Sequence, residues 1–146
     1  MNRRQRHLGR ELALQWLFQI DMGHLPPDEV MTNLPEDLEE QPAIGEEGLE
    51  FARQLVHGVL ATKSRIDAGI AKYATGWSLS RMAAVERNIL RLALFEILEM
   101  TDIPPSVTVD EAVEVAKSFG SDESGKFVNG ILGAYLRGER GEIEHA

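Results

Sequence analysis

Two basic sets are the residues of this chain whose types and spacing suggest chemistry. Arg3, Arg6 and Arg10 recur at intervals of three and four, with Arg4 beside them. On a helix begun near residue 3 that spacing lines three guanidinium groups along one face, the form of a stripe that tracks a phosphate backbone. Lys117 and Lys126 form the second set, interleaved with Phe119 and Phe127 around a short polar segment. Cationic grooves with aromatic faces hold single-stranded nucleic acid, phosphates against the cations and bases on the rings. Each set also has a plainer reading: a solvated helix end for the arginines, and core positions for the two phenylalanines.

A third pattern is misleading. Residues 120–126 fit G-x-x-x-x-G-K, the glycine loop that cradles phosphates. Phe127 replaces the hydroxyl that would hold magnesium, Asp122 and Glu123 would repel phosphate from inside the loop, and the preceding segment has the period of a helix where a strand is needed. A turn between two helices is the expectation. The absence of cysteine excludes disulfides, thiol nucleophiles and Cys-ligated metals. His7, His24, His57 and His145 lack ligand spacing, there is no G-x-S-x-G, and carboxylate pairs such as Glu46 and Glu47 lie in an acidic, solvated stretch. No cofactor, no metal and no enzymatic activity are therefore expected.

The net charge of −9 over 146 residues argues against nucleic acid only until it is divided along the chain. Residues 21–50 hold ten acids and no Lys or Arg, so the other 116 residues sum to +1, and residues 1–20 alone carry +3. Exposed charges are screened within about 8–10 Å at physiological salt, which leaves a basic patch free to act despite a distant acidic segment. The arginine-rich start lacks the apolar run of a secretory leader, and no apolar stretch is long enough to span a bilayer, so a soluble cytoplasmic protein is expected.

Helices must position these residues. Leu8, Leu12, Ala13, Trp16, Leu17 and Ile20 give a first helix over residues 3–22, ended by Gly23 and the pair Pro26 and Pro27, with Pro27, Asp28 and Glu29 suited to open a short second one. Residues 34–47 show no sustained period and read as a surface loop. Leu49, Ala52, Leu55, Val56, Val59 and Leu60 give a third helix and Ile66, Ile70 and Tyr73 a fourth, separated near Thr62 to Ser64 and closed by Gly76. Residues 80–100 are apolar around nearly the whole circumference and form the most buried helix, stopped by Pro104 and Pro105. Thr108 and Glu111 have capping-box spacing for a sixth helix ending at Gly120, and Ser121 suits the cap of a seventh. Nothing alternates with period two. The fold expected is all-α, about seven helices, with a frayed tail over residues 139–146.

Several segments in order resemble the NusB family of bacterial transcription antitermination factors: residues 10–15 (RELALQ), 88–93 (NILRLA) with Glu96, 102–104 (DIP), 111–120 (EAVEVAKSFG) and 126–132 (KFVNGIL). The match spans nearly the whole chain. Trp16, Phe18, Glu86 and Glu123 depart from the family's commoner residues without breaking the pattern. The resemblance implies one helical domain over residues 1–138, built of two packed bundles (about 1–75 and 77–138), with no enzymatic activity. It implies binding to the single-stranded box A element of ribosomal RNA leader transcripts together with NusE, a small-subunit ribosomal protein, and through them action with other Nus factors and RNA polymerase. By carry-over, Arg3, Arg4, Arg6, Arg10, Tyr73, Lys117, Phe119, Glu123, Lys126 and Phe127 would face RNA, and Glu86 and Arg87 would contribute to the NusE contact. Some relatives dimerise, so a homodimer is compatible with the resemblance.

Two rivals stand beside this reading. A similar helical domain begins some ribosomal RNA cytosine methyltransferases, but the chain holds neither a catalytic domain nor a cysteine. The other rival is a helical protein-binding adaptor that uses the acidic 21–50 segment and binds no RNA.

Overall fold

The computed structural model describes residues 1–32, 34 and 42–139. Among them are seven α-helices and no strand: α1 (Arg3–Gly23), α2 (Pro27–Thr32), α3 (Gly45–Ala61), α4 (Lys63–Tyr73), α5 (Ala84–Glu99), α6 (Pro105–Phe119) and α7 (Asp122–Gly138), with 3₁₀ turns at Pro42–Ile44 and Leu79–Arg81. None of these helices is long and apolar enough to cross a membrane. The chain divides into two compact units, Met1–Ala61 and Thr62–Ala146. The division falls one helix earlier than the bundle boundary expected near residue 76, because α4 packs on α5 and α7 of the second unit.

In the first unit α1 lies against α3. Leu12, Ala13, Trp16 and Leu17 of α1 are buried, as are Phe51, Ala52, Leu55, Val56 and Val59 of α3. Two glycines let the backbones approach. A Cβ on Gly9 would stand 2.9 Å from the Gly48 carbonyl oxygen, and one on Gly48 would stand 3.1 Å from that of Gln5. His24 ends α1 in the left-handed region at φ 52°, one residue beyond the expected Gly23. The loop expected over residues 34–47 does not reach its predicted end. Ile44 is buried within a 3₁₀ turn and α3 begins at Gly45, whose acidic first turn, Glu46 and Glu47, suits a helix N-terminus. Residues 35–41 of that expected loop, and 140–146 of the expected tail, lie outside the described residues.

In the second unit every residue of α5 from Arg87 to Ile97 is buried, as its all-round apolar pattern predicts. Arg91 is held from two sides. Arg91 donates from Nε and Nη2 to the two carboxylate oxygens of Asp67 on α4 (2.8 and 3.1 Å) and from Nη1 to Asn88 Oδ1 (3.1 Å), tying α4 to α5. The start of α6 differs from expectation. Pro105, with φ preset for a helix and no N–H to leave unpaired, opens the helix directly after Pro104, one turn before the predicted cap. Thr108 is consequently inside the helix, 1% exposed, and its hydroxyl caps nothing.

Candidate nucleic-acid interface

A reciprocal cap starts α1. The Gln5 N–H donates to Asn2 Oδ1 (2.8 Å) and the Asn2 N–H donates to Gln5 Oε1 (2.9 Å). Helix formation at Arg3 therefore places Arg3, Arg4 and Arg6 in the first turn or just beyond it, where no acid accompanies them. Cations at the positive end of a helix dipole are disfavoured for folding, so these arginines are not there to stabilise α1. The stripe is not uniform. Arg3 and Arg4 are exposed, while Arg6 is half-buried with an Nε that has no hydrogen-bond partner among the described residues. Arg10 is only 5% exposed, its guanidinium 5.6 Å from the centre of the Phe51 ring. The expectation that Arg10 lies on an outer face is corrected: α3 crosses α1 at the neighbouring Gly9, and Phe51 covers the guanidinium.

The second basic set surrounds the α6–α7 turn. Ser121 caps α7 by accepting the N–H of Ser124 (3.2 Å), as its position predicts, and the Ser124 hydroxyl donates to Glu86 Oε1 at the start of α5 (3.0 Å). Gly120 is required there, since a Cβ would fall 2.5 Å from Ser124 Oγ. The lysine of the apparent phosphate loop sits on a helix, so no glycine loop surrounds it. Lys126 is largely solvated and 3.7 Å from Glu123, a pair that water screens. Lys117 is exposed and lies along α7, its Cγ 2.9 Å from where a Gly125 Cβ would be. Phe119 is 37% exposed, which excludes a core role for it. Phe127 is half-buried and meets Trp77 edge-on, centroids 5.8 Å apart and planes at 79°.

Tyr73 stands apart from that turn. It meets Tyr135 edge-on at 5.5 Å, and Tyr135 lies eight residues, about 12 Å of helix, beyond Phe127. Lys72 lies 5.4 Å from the centre of the Tyr73 ring and pairs with Glu139 (3.0 Å). The hydrogen bond and charge of Glu139 raise the Lys72 pKa, and the hydrogen bond from Lys72 lowers that of Glu139.

Glu86 is half-buried and accepts from Ser124. Arg87, carried over as a protein contact, turns inward. It is 9% exposed and its Nη1 donates to the carbonyls of Leu79 (2.9 Å) and Met82 (3.2 Å), so it holds the 3₁₀ turn before α5. Sequence reasoning overlooked Trp77. The available signal was a tryptophan outside any helical period, between Gly76 and Ser78.

Exposed cations and part-exposed rings at helix ends, on all-helical units, are the features of a helical nucleic-acid-binding factor. The NusB family pattern matches residues 7–137, and the chain belongs to the NusB family. A transcription antitermination protein NusB of Desulforamulus reducens is 50% identical over 136 residues, 93% of this chain and 90% of its own length. That of Symbiobacterium thermophilum is 47% identical over 140 residues, 93% and 92% of the two chains. Among solved structures, T. maritima NusB is 38% identical with a TM-score of 0.77, covering 90% of each chain. A crystal structure of the antitermination factors NusB and NusE in complex with dsRNA holds a chain 29% identical to this one, with a TM-score of 0.81 over 94% of this chain and 99% of that one.

Proposed function

We propose that this chain is a transcription antitermination factor that binds the box A RNA of ribosomal RNA leader transcripts together with NusE and so promotes processive elongation by RNA polymerase. The observation that carries the reading is that Arg3, Arg4, Lys117 and Lys126 stand exposed while Phe119 and Phe127 keep part of their rings in water. A protein using these residues for its core or for internal ion pairs would have buried or neutralised them. Family membership and the likeness to a chain crystallised with NusE and dsRNA support the same assignment. Arg3, Arg4 and Arg6 contact phosphate in this reading, Lys117, Lys126, Phe119 and Phe127 hold the strand at the α6–α7 turn, and Tyr73 and Glu123 flank it. Arg10 and Arg87 support from within. Glu86 borders the NusE contact. The protein works in the cytoplasm, performs no catalysis and needs no cofactor for binding.

Titration of the protein with a short single-stranded RNA carrying box A, with and without purified NusE, tests the proposal. Binding to box A above a scrambled strand, strengthened by NusE, is expected. NusE capture with no RNA binding by any measure would favour the adaptor reading instead.

A further inference from the structure

Trp77 leaves 54% of its surface in water, although the backbone around it is firmly held. Gly76, at φ 83°, turns the chain after α4, the Trp77 N–H donates to the Ala74 carbonyl (3.0 Å), and Arg87 holds the 3₁₀ turn that follows through the Leu79 and Met82 carbonyls. A large flat ring fixed in place yet left exposed is a poor contribution to a core and a good platform for stacking. Its edge-on contact with Phe127 occupies at most one face of either ring. The surroundings suit a polyanion. Exposed Lys126 stands next to Phe127 and exposed Arg81 four residues after Trp77, and the exposed Ser78 and Ser80 hydroxyls stand 3.2 Å apart.

We infer that Trp77 is a base-stacking residue of the RNA site, receiving the base next to the one held at Phe127. The inference rests on the RNA-binding reading above and adds a residue and a strand geometry to it. Because the two ring planes are 79° apart, bases stacked on them cannot also stack on each other. The strand must bend sharply between them. A duplex, whose neighbouring bases stay parallel, cannot satisfy both rings, so this part of the surface selects single-stranded RNA.

Tryptophan emission and binding affinity test this together, using the full chain and a short single-stranded RNA carrying box A. The RNA-induced emission change is read as the difference between the parent and Trp77→Phe, which retains only the fully buried Trp16. Quenching of the Trp77 component is expected. Trp77→Ala should weaken binding about 5- to 150-fold, the range for losing one stacked base, and Trp77→Phe should recover most of that loss. Melting midpoints and circular dichroism establish that the variants are folded, and Lys126→Ala reports on the RNA site independently. If Lys126→Ala weakens binding while Trp77→Ala binds as the parent does and no quenching occurs, Trp77 is outside the site although the RNA reading stands. If Trp77→Ala instead weakens NusE capture alone, the ring belongs to a protein contact. If the parent binds no RNA, the RNA reading fails and this inference with it.

Discussion

At the scale of single residues, helical spacing establishes which side chains share a face but not whether another helix covers that face. Arg3, Arg6 and Arg10 have the spacing of one stripe, yet their exposure falls from solvated to 5% along it because α3 arrives at Gly9. A substitution that spacing alone treats as a surface change therefore acts on the core. Arg10→Ala should cost about 2 kcal/mol, through lost stem packing and a desolvated cation–ring contact with Phe51. Affinity per folded molecule should stay near that of the parent. Urea denaturation combined with RNA titration checks both parts, and an unchanged unfolding midpoint would return Arg10 to the surface. Trp16 presents the opposite case. Its helical period places it in the core, where it is 0% exposed, and its indole N–H has no partner among the described residues.

At the scale of elements, the seven helices among the described residues were legible from apolar periods or, for α2 and α6, from the residues that open or end a helix. Their joints were less so. A threonine and a glutamate at capping-box spacing mark a helix start only if nothing upstream opens the helix first, and Pro105 does. The composition of residues 42–47 suggested a loop, since three small or proline residues and two acids hide the single buried Ile44 that anchors the turn. Packing makes two predictions here. Gly9→Ala should destabilise the first unit by about 1–3 kcal/mol, because its Cβ would press on backbone that cannot yield without separating α1 from α3. Asp67→Ala should cost about 3 kcal/mol, the lower end for breaking a buried pair, since Arg91 is 7% exposed while Asp67 keeps 26%. Thermal unfolding followed by circular dichroism measures both. A change below about 0.5 kcal/mol, typical of surface sites, would show that neither contact holds its helices.

For the whole molecule, net charge was the least informative number and its distribution among the most informative. The chain is acidic overall, yet ten of its acids lie within residues 21–50, where no Lys or Arg offsets them, and the exposed cations lie elsewhere. The two basic sets were readable from the sequence. That Phe127 meets Trp77, and that Tyr73 instead meets Tyr135, about 12 Å of helix beyond Phe127, depended on which helices pack together and was not. The central claim is that exposed cations hold RNA phosphates. It is tested most directly by the salt dependence of box A RNA affinity for the parent and for the double variant Arg3→Ala, Arg4→Ala. Each phosphate contact on a single strand contributes a slope of about −0.7 in log affinity against log salt, so losing two should flatten the slope by about 1.4. Binding to box A and to a scrambled strand should weaken by similar factors, with the unfolding midpoint unmoved. An unchanged slope with full affinity would contradict the account and leave these arginines as a solvated helix end.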